Sequence, residues 1–118
     1  MRFIPTLIHA TVDYIVGLLL IGLPLLVTIG GPARALTMSL GLVVLLYSLA
    51  TDYELGVIRF LRIRLHLFLD ALSGAILLLL AVAADLPGPA RWPYYVIGAL
   101  ALFLSATTRT RAQGTAGE

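Results

Sequence analysis

The sequence predicts an all-α membrane protein: a four-transmembrane-helix bundle from two tandem helix-hairpin repeats with parallel orientation. The 118-residue chain is 60% hydrophobic and only 12% charged, with a mean hydropathy of +1.02. It contains four long apolar stretches, and its second half repeats its first half. A soluble domain of this size cannot bury so much apolar surface, because small domains bury the smallest share of theirs. The sequence therefore predicts a lipid bilayer as the surroundings of much of the chain.

The four apolar stretches predict the helices in chain order, at residues 8–29, 35–51, 65–84 and 92–107. A spanning helix needs about 20 residues, so the first and third stretches fit easily and the other two are short. Glycine and proline stop helices and predict the two hairpin turns. We expect the turns to contain Gly31, Pro32 and Arg34 in the first hairpin, and Gly88, Pro89 and Arg91 in the second. The polar segment 52–64 predicts a loop or a short interfacial helix.

An internal duplication is the strongest signal in the chain. An offset of 57 residues places His9, Asp13 and Gly17 on their second-half equivalents without any gap. The residue pairs matched by this offset also include Gly31-Pro32-Ala33-Arg34 with Gly88-Pro89-Ala90-Arg91, Gly41 with Gly98, Ser48 with Ser105, and Thr51 with Thr108. We interpret residues 1–118 as one membrane domain with repeats at 2–57 and 59–114, and predict a disordered tail at 110–118.

Each repeat has two spans and returns to its starting side, so the two copies must share one orientation. This predicts a pseudo-two-fold axis along the membrane normal. The arginines indicate which side of the bundle faces the cytoplasm. Six of the eight lie on one predicted side: Arg2, Arg59, Arg62, Arg64, Arg109 and Arg111. By the positive-inside rule, both termini and the middle loop are predicted to be cytoplasmic.

The opening MRFIPTLIHATVDYIVGLLL and the junction YSLATDYELGVIRFLRIRLHLFLDALSG resemble the SPW-repeat family of small bacterial integral membrane proteins. The Ser-Pro-Trp triplet itself is replaced by Leu23-Pro24-Leu25 in the first copy and by Leu80-Ala81-Val82 in the second. The resemblance implies the duplicated hairpins and a location in the bacterial inner membrane. It implies no activity and no catalytic residue.

Four ionisable residues inside the spans are the candidate functional residues: His9, Asp13, His66 and Asp70. Each histidine precedes its aspartate by four positions, which places the pair on one helix face. A carboxylate that faces lipid costs several kcal/mol, so we expect the four side chains to meet between the repeats. We expect Ser48, Thr51, Ser105 and Thr108 to support them. Four glycines are predicted to allow close helix packing: Gly17, Gly41, Gly74 and Gly98. Gly17 and Gly74 each follow the aspartate of their helix by four positions, on the same helix face. We therefore expect them to face the other repeat.

Several functions fit this predicted cluster. A His–Asp contact can satisfy both groups and hold the repeats together, which favours a structural or binding membrane protein of unassigned activity. The alternative is a small ion or proton transporter, or a redox subunit that binds haem or a divalent metal through His9, His66, Asp13 and Asp70. No cofactor is required by the first interpretation.

Other function classes are disfavoured. The chain has no cysteine, which excludes disulfides and iron–sulfur clusters. Its basic residues are too few and scattered for nucleic-acid binding. No nucleotide-binding loop or hydrolase motif is present, so an enzyme is not predicted. We expect the lipid bilayer as the main partner, and a homo-oligomer or a larger membrane complex as a further one.

Overall fold

A computed structural model describes residues 2–51 and 55–108 of the chain. The described part folds into four helices: α1 (Thr6–Leu26), α2 (Gly31–Leu49), α3 (Ile63–Ala83) and α4 (Gly88–Thr107). The middle segment is not helical over residues 55–62, as expected for a loop. The predicted disordered tail at 110–118 lies outside the described residues.

The helices form two hairpins, as the sequence predicted. Close backbone contacts join α1 to α2 and α3 to α4, whereas those between the two hairpins are sparse. The all-α fold class and the assembly of a four-helix bundle from two hairpins are therefore confirmed. Because the helices of different hairpins make few close backbone contacts, the hairpins must be joined by side chains that reach across and by contacts at the helix ends.

Glycines let the two helices of each hairpin approach closely. A Cβ atom added at Gly41 would lie 2.7 Å from the Gly17 carbonyl oxygen, and one added at Gly98 would lie 2.9 Å from the Gly74 carbonyl oxygen. The four glycines therefore pack helices as predicted, but the expected direction was wrong. Gly17 and Gly74 face the partner helix of their own hairpin and not the other repeat.

The Gly-Pro segments begin helices and do not form turns. Gly31 is the first residue of α2 and Gly88 the first of α4, so all six predicted turn residues lie in the opening residues of these helices. Proline is favoured at a helix start, because its missing N–H has no intrahelical acceptor there. Gly31 has φ of +64°, in the left-handed region that glycine tolerates best. The actual turns are shorter and precede these residues.

Two matching sets of backbone hydrogen bonds tie the hairpins together at one end of the bundle. The N–H groups of Phe3 and Ile4 donate to the Thr107 carbonyl, at 2.7 and 2.9 Å. The N–H groups of Phe60 and Leu61 donate to the Ala50 carbonyl, at 3.1 and 2.8 Å. The start of α1, the end of α4 and the middle loop are therefore neighbours at the same end.

Arginines satisfy the last carbonyls of two helices. Arg2 donates from its guanidinium to the carbonyls of Ser105 and Thr108, at 2.9 and 2.8 Å, which caps the end of α4. Arg91 donates to the carbonyl of Ala81 near the end of α3. A cation at a helix C-terminus is favoured by the helix dipole. Arg34, the sequence equivalent of Arg91, is exposed.

The outward faces of the helices are apolar. Leu26 is 79% exposed and Val82 is 70% exposed, although both are large aliphatic residues. Among the described residues, α1, α2 and α3 are long and apolar enough to cross a membrane. Helix α4 is as long, but Arg91, two prolines and two tyrosines in its first half lower its hydropathy. The length and composition of these three helices therefore indicate a membrane protein.

A glycine substitution tests the packing within a hairpin. Gly41→Ala should lower the free energy of unfolding by about 1–3 kcal/mol, because its Cβ would meet backbone that cannot move away cheaply. Thermal unfolding in detergent measures the change. Gly22→Ala is the matched control in α1, because a Cβ there meets nothing within 4 Å. It should leave stability unchanged or raise it by up to about 1 kcal/mol. Equal effects of the two substitutions would contradict the close approach.

Candidate functional site

The four ionisable residues predicted from the sequence meet in the interior. His9 and His66 are fully buried, and Asp13 and Asp70 are 6% and 5% exposed. Helix α1 supplies one pair and α3 the other, and the four-residue spacing turns both members of a pair toward the facing helix. We call His9, Asp13, His66 and Asp70 the His–Asp cluster. It lies between the hairpins, as expected.

The shortest contacts of the His–Asp cluster run between hairpins. The Nε2 atom of His66 lies 2.7 Å from Oδ2 of Asp13, and Nε2 of His9 is in close contact with Oδ2 of Asp70. Contacts along one helix are longer, at 3.2 Å for His9 to Asp13 and 3.1 Å for His66 to Asp70. Each histidine therefore has the aspartate of the other hairpin as its closest acidic partner.

A threonine hydroxyl contacts Nδ1 of each imidazole, the ring nitrogen that does not face the aspartates. Nδ1 of His66 lies 2.7 Å from Thr51 Oγ1, and Nδ1 of His9 lies 2.6 Å from Thr108 Oγ1. The Thr51 hydroxyl donates its single proton to the Tyr47 carbonyl at 2.5 Å, so it can only accept from His66. Nδ1 of His66 therefore carries a proton, and its Nε2 atom is the one that faces the aspartates.

Tyr47 belongs to the site, although the sequence analysis did not select it. Its hydroxyl donates to Oδ1 of Asp70, and its ring packs edge-to-face on His66 with centroids 4.9 Å apart. A signal was available, because Tyr47 precedes Thr51 by four positions and shares its helix face. The predicted 57-residue offset did not select Tyr47, because it pairs Tyr47 with Leu104, which has no hydroxyl.

The predicted serines contribute less than the threonines. The Ser105 hydroxyl donates to the Ala101 carbonyl at 2.7 Å, within its own helix. Ser48 Oγ is buried and has no hydrogen-bond partner among the described residues. A cavity of about 20 Å³ adjoins the cluster and is lined by Asp13, Asp70 and Tyr47, together with apolar side chains from all four helices. It has room for about one water molecule.

The interior beyond the cluster is apolar. The main hydrophobic core includes Leu20, Leu77 and Ala81, all at most 1% exposed. In the described part of the chain, the buried polar side chains at that far end are Thr37 and Tyr94, whose hydroxyls lie 2.5 Å apart. The polar interior therefore occupies one end of the bundle, next to the middle loop.

The arrangement brings four potential metal ligands together. One ligand atom from each member of the His–Asp cluster lies within 4.8 Å of all the others. The two imidazole rings meet edge-to-face with centroids 5.5 Å apart. Side chains of this type can exchange protons, pair as ions or hold a metal ion. A porphyrin does not fit between rings in this contact.

Comparisons of the chain with models of protein families, with curated proteins and with solved structures found no match. The resemblance to the SPW-repeat family therefore stays a prediction.

The threonine that orients His66 provides a test of the site. Thr51→Val should lower the free energy of unfolding by about 1–3 kcal/mol, because it leaves the Nδ1–H group of His66 buried without an acceptor. Thr51→Ser keeps the hydroxyl and should recover most of that loss. Thermal unfolding of both variants in detergent measures the difference. If serine and valine destabilise the protein equally, the hydroxyl does not hold the imidazole.

Proposed function

We propose that the chain is an integral membrane protein with four spans, in which the His–Asp cluster joins two copies of one helix hairpin. Its role is structural or binding, with no catalytic residue. The observation that carries the proposal is that each buried histidine contacts the aspartate of the other hairpin, at 2.7 Å for His66 and Asp13. Removing one partner of such a pair takes the closest hydrogen-bonding partner away from a buried polar group.

Matched contacts support the duplication. The contact between Thr51 and His66 corresponds to the contact between Thr108 and His9. The two threonines, like the two histidines, are related by the 57-residue offset that aligns the sequence halves. The backbone bonds to Ala50 and Thr107 correspond in the same way. Contacts that repeat in this manner favour a pseudo-two-fold arrangement of two hairpins with one orientation.

Four spans are favoured over three by the pairing of the helices. Helix α4 has 20 residues, almost the length of α3, and packs along it through Gly74 and Gly98. A helix of this length covers about 30 Å, the thickness of the hydrocarbon core. A crossing by α4 also returns the chain to the side of the middle loop, where the backbone of Thr107 meets Phe3.

The alternative functions find less support. A proton or ion route through one copy of the chain needs polar groups across the whole membrane. In the described residues, buried polar side chains are concentrated at one end, and Leu20, Leu77 and Ala81 fill the interior beyond it. A haem between His9 and His66 is disfavoured because their rings are in contact. The large exposed aliphatic residues suit a lipid bilayer as partner.

We call the joining of the two hairpins by the His–Asp cluster the clamp. A double-mutant cycle across the hairpins tests it. Asp13→Asn and His66→Gln should each lower the free energy of unfolding by about 1–3 kcal/mol, because the remaining partner loses its closest contact and keeps the longer one along its own helix. The double variant should lose less than the sum, with an interaction energy of about 1–3 kcal/mol. Unfolding in mixed detergent micelles gives all four values.

The control cycle combines Asp13→Asn with Thr37→Val, which lies at the other end of the bundle. These two substitutions should be additive within about 0.5 kcal/mol. A second cycle on His9 and Asp70 should reproduce the coupling of the first pair. Additive effects in both cluster cycles would remove the proposed clamp.

Single cysteines test the orientation, because the chain has none of its own. Val57 is 74% exposed in the middle loop, and Gly30 lies in the turn before α2, where a Cβ meets nothing within 4 Å. We expect Val57→Cys to react with a membrane-impermeant maleimide from the cytoplasmic side alone, and Gly30→Cys from the opposite side alone. Labelling of both from one side would contradict the proposed topology.

A further inference from the structure

We propose that the His–Asp cluster is a binding site for one divalent transition-metal ion, ligated by His9, His66, Asp13 and Asp70. The inference rests on the proposed function, because the ligand set is complete only when both hairpins meet. A bound ion would connect α1 and α3 through bonds to both, and would therefore strengthen the association of the hairpins.

The distances within the cluster suit a four-coordinate ion. Zinc binds imidazole nitrogen and carboxylate oxygen at about 2.0–2.2 Å, which separates tetrahedral ligand atoms by about 3.3–3.6 Å. The separations in the cluster are 2.7 Å from His66 Nε2 to Asp13 Oδ2, 3.1 Å from His66 Nε2 to Asp70 Oδ2 and 3.2 Å from His9 Nε2 to Asp13 Oδ1. The contact of His9 Nε2 with Asp70 Oδ2 is closer still, and one ligand atom of each residue lies within 4.8 Å of the others. Small outward shifts of the side chains therefore make room for an ion at the centre.

The imidazoles already have the orientation that a metal site needs. Metal-binding histidines donate their other ring N–H to a neighbouring acceptor, which fixes the tautomer and the ring direction. The Thr51 hydroxyl must accept from Nδ1 of His66, because its own proton is used on the Tyr47 carbonyl. The Nε2 atom of His66 then faces Asp13 and Asp70. The Tyr47 hydroxyl donates to Oδ1 of Asp70, which leaves Oδ2 facing the histidines.

The charge of the site is balanced by a divalent ion. A nitrogen lone pair and a carboxylate oxygen at hydrogen-bonding distance need a proton between them, and the cluster has two such contacts, His66–Asp13 and His9–Asp70. One M²⁺ ion can replace these two protons and leaves the net charge unchanged. Besides the cluster, the nearby titratable groups of the described helices are Tyr47 on α2 and Tyr14 on α1. Ser105 on α4 and Thr108, the residue that follows α4, do not titrate.

The ligand types select the class of ion. Two imidazoles with two carboxylates suit zinc, manganese or iron, whereas magnesium and calcium prefer oxygen ligands alone. Four protein ligands complete a tetrahedron, which is typical of a structural metal site. Leu20 and Leu77 line the water-sized cavity beside the cluster and offer no further protein ligand on that side.

The test uses the full chain in detergent micelles, freed of metal with a chelator and titrated with Zn²⁺ by calorimetry in two buffers of different ionisation enthalpy. We expect one Zn²⁺ per chain and a release of about two protons, which the buffer comparison measures. Mg²⁺ should give no saturable binding. Zn²⁺ should also raise the thermal unfolding midpoint of the wild-type protein.

Variants assign the site. His66→Gln and Asp13→Asn should weaken Zn²⁺ binding by at least about 100-fold, because each removes a ligand. Tyr94→Phe is the matched control, because it removes a buried hydroxyl at the far end of the bundle, and it should bind Zn²⁺ like the wild type. Equal affinity of the wild type and His66→Gln would overturn the assignment.

A measurement on the wild type alone covers the case in which the ligand variants do not fold. Co²⁺ should give the intense visible absorption of a tetrahedral site. A weak octahedral spectrum, or no saturable binding of Zn²⁺, would refute the metal site. If binding fails while the His66–Asp13 double-mutant cycle shows coupling, the clamp stands without the metal. If the cycles are additive, the clamp fails whatever the protein binds.

Discussion

The arrangement of this protein depends on one constraint: ionisable side chains placed inside a membrane must find partners within the protein. His9 and Asp13 alone make a contact of 3.2 Å along α1, which leaves much of their hydrogen-bonding capacity unused. The second hairpin supplies Asp70 and His66 at shorter range. An isolated hairpin would expose these groups to hydrocarbon at a cost of several kcal/mol. The polar residues therefore favour the assembled pair over either hairpin alone.

Two kinds of contact hold the bundle, and they act at different interfaces. Within each hairpin, glycine pairs such as Gly17 and Gly41 bring backbones close, and dispersion is the main attraction there. Between hairpins, backbone contacts are sparse and the His–Asp cluster reaches across. Small residues fit close packing of neighbouring helices, while long polar side chains fit a wider separation. The same helix α1 uses both, on adjacent faces.

Much of the fold could be predicted from the sequence, and the errors have physical causes. Hydropathy located all four helices. The free-energy cost of exposing a charged side chain to lipid predicted that His9 and Asp13 lie in the interior. The expected direction of Gly17 was wrong because positions four apart on a helix differ by about 40° around its axis. The angle around the helix axis between His9 and Gly17 is about 80°, which is enough for the glycine to face a different helix. The turns were misplaced because Gly31 and Pro32 can begin a helix as well as interrupt one.

Tyr47 marks a difference between the two hairpins. The offset of 57 residues gives both hairpins a histidine, an aspartate and a threonine, but it pairs Tyr47 with Leu104. Asp70 consequently accepts a hydroxyl that no equivalent residue can offer to Asp13. A site with two identical halves would let its two histidines share protons or an ion equally. The extra donor gives Asp70 one more hydrogen bond, so the two halves of the cluster differ although each contains a histidine, an aspartate and a threonine. The difference at this one supporting position therefore makes the hydrogen bonding of the His–Asp cluster unequal on its two sides.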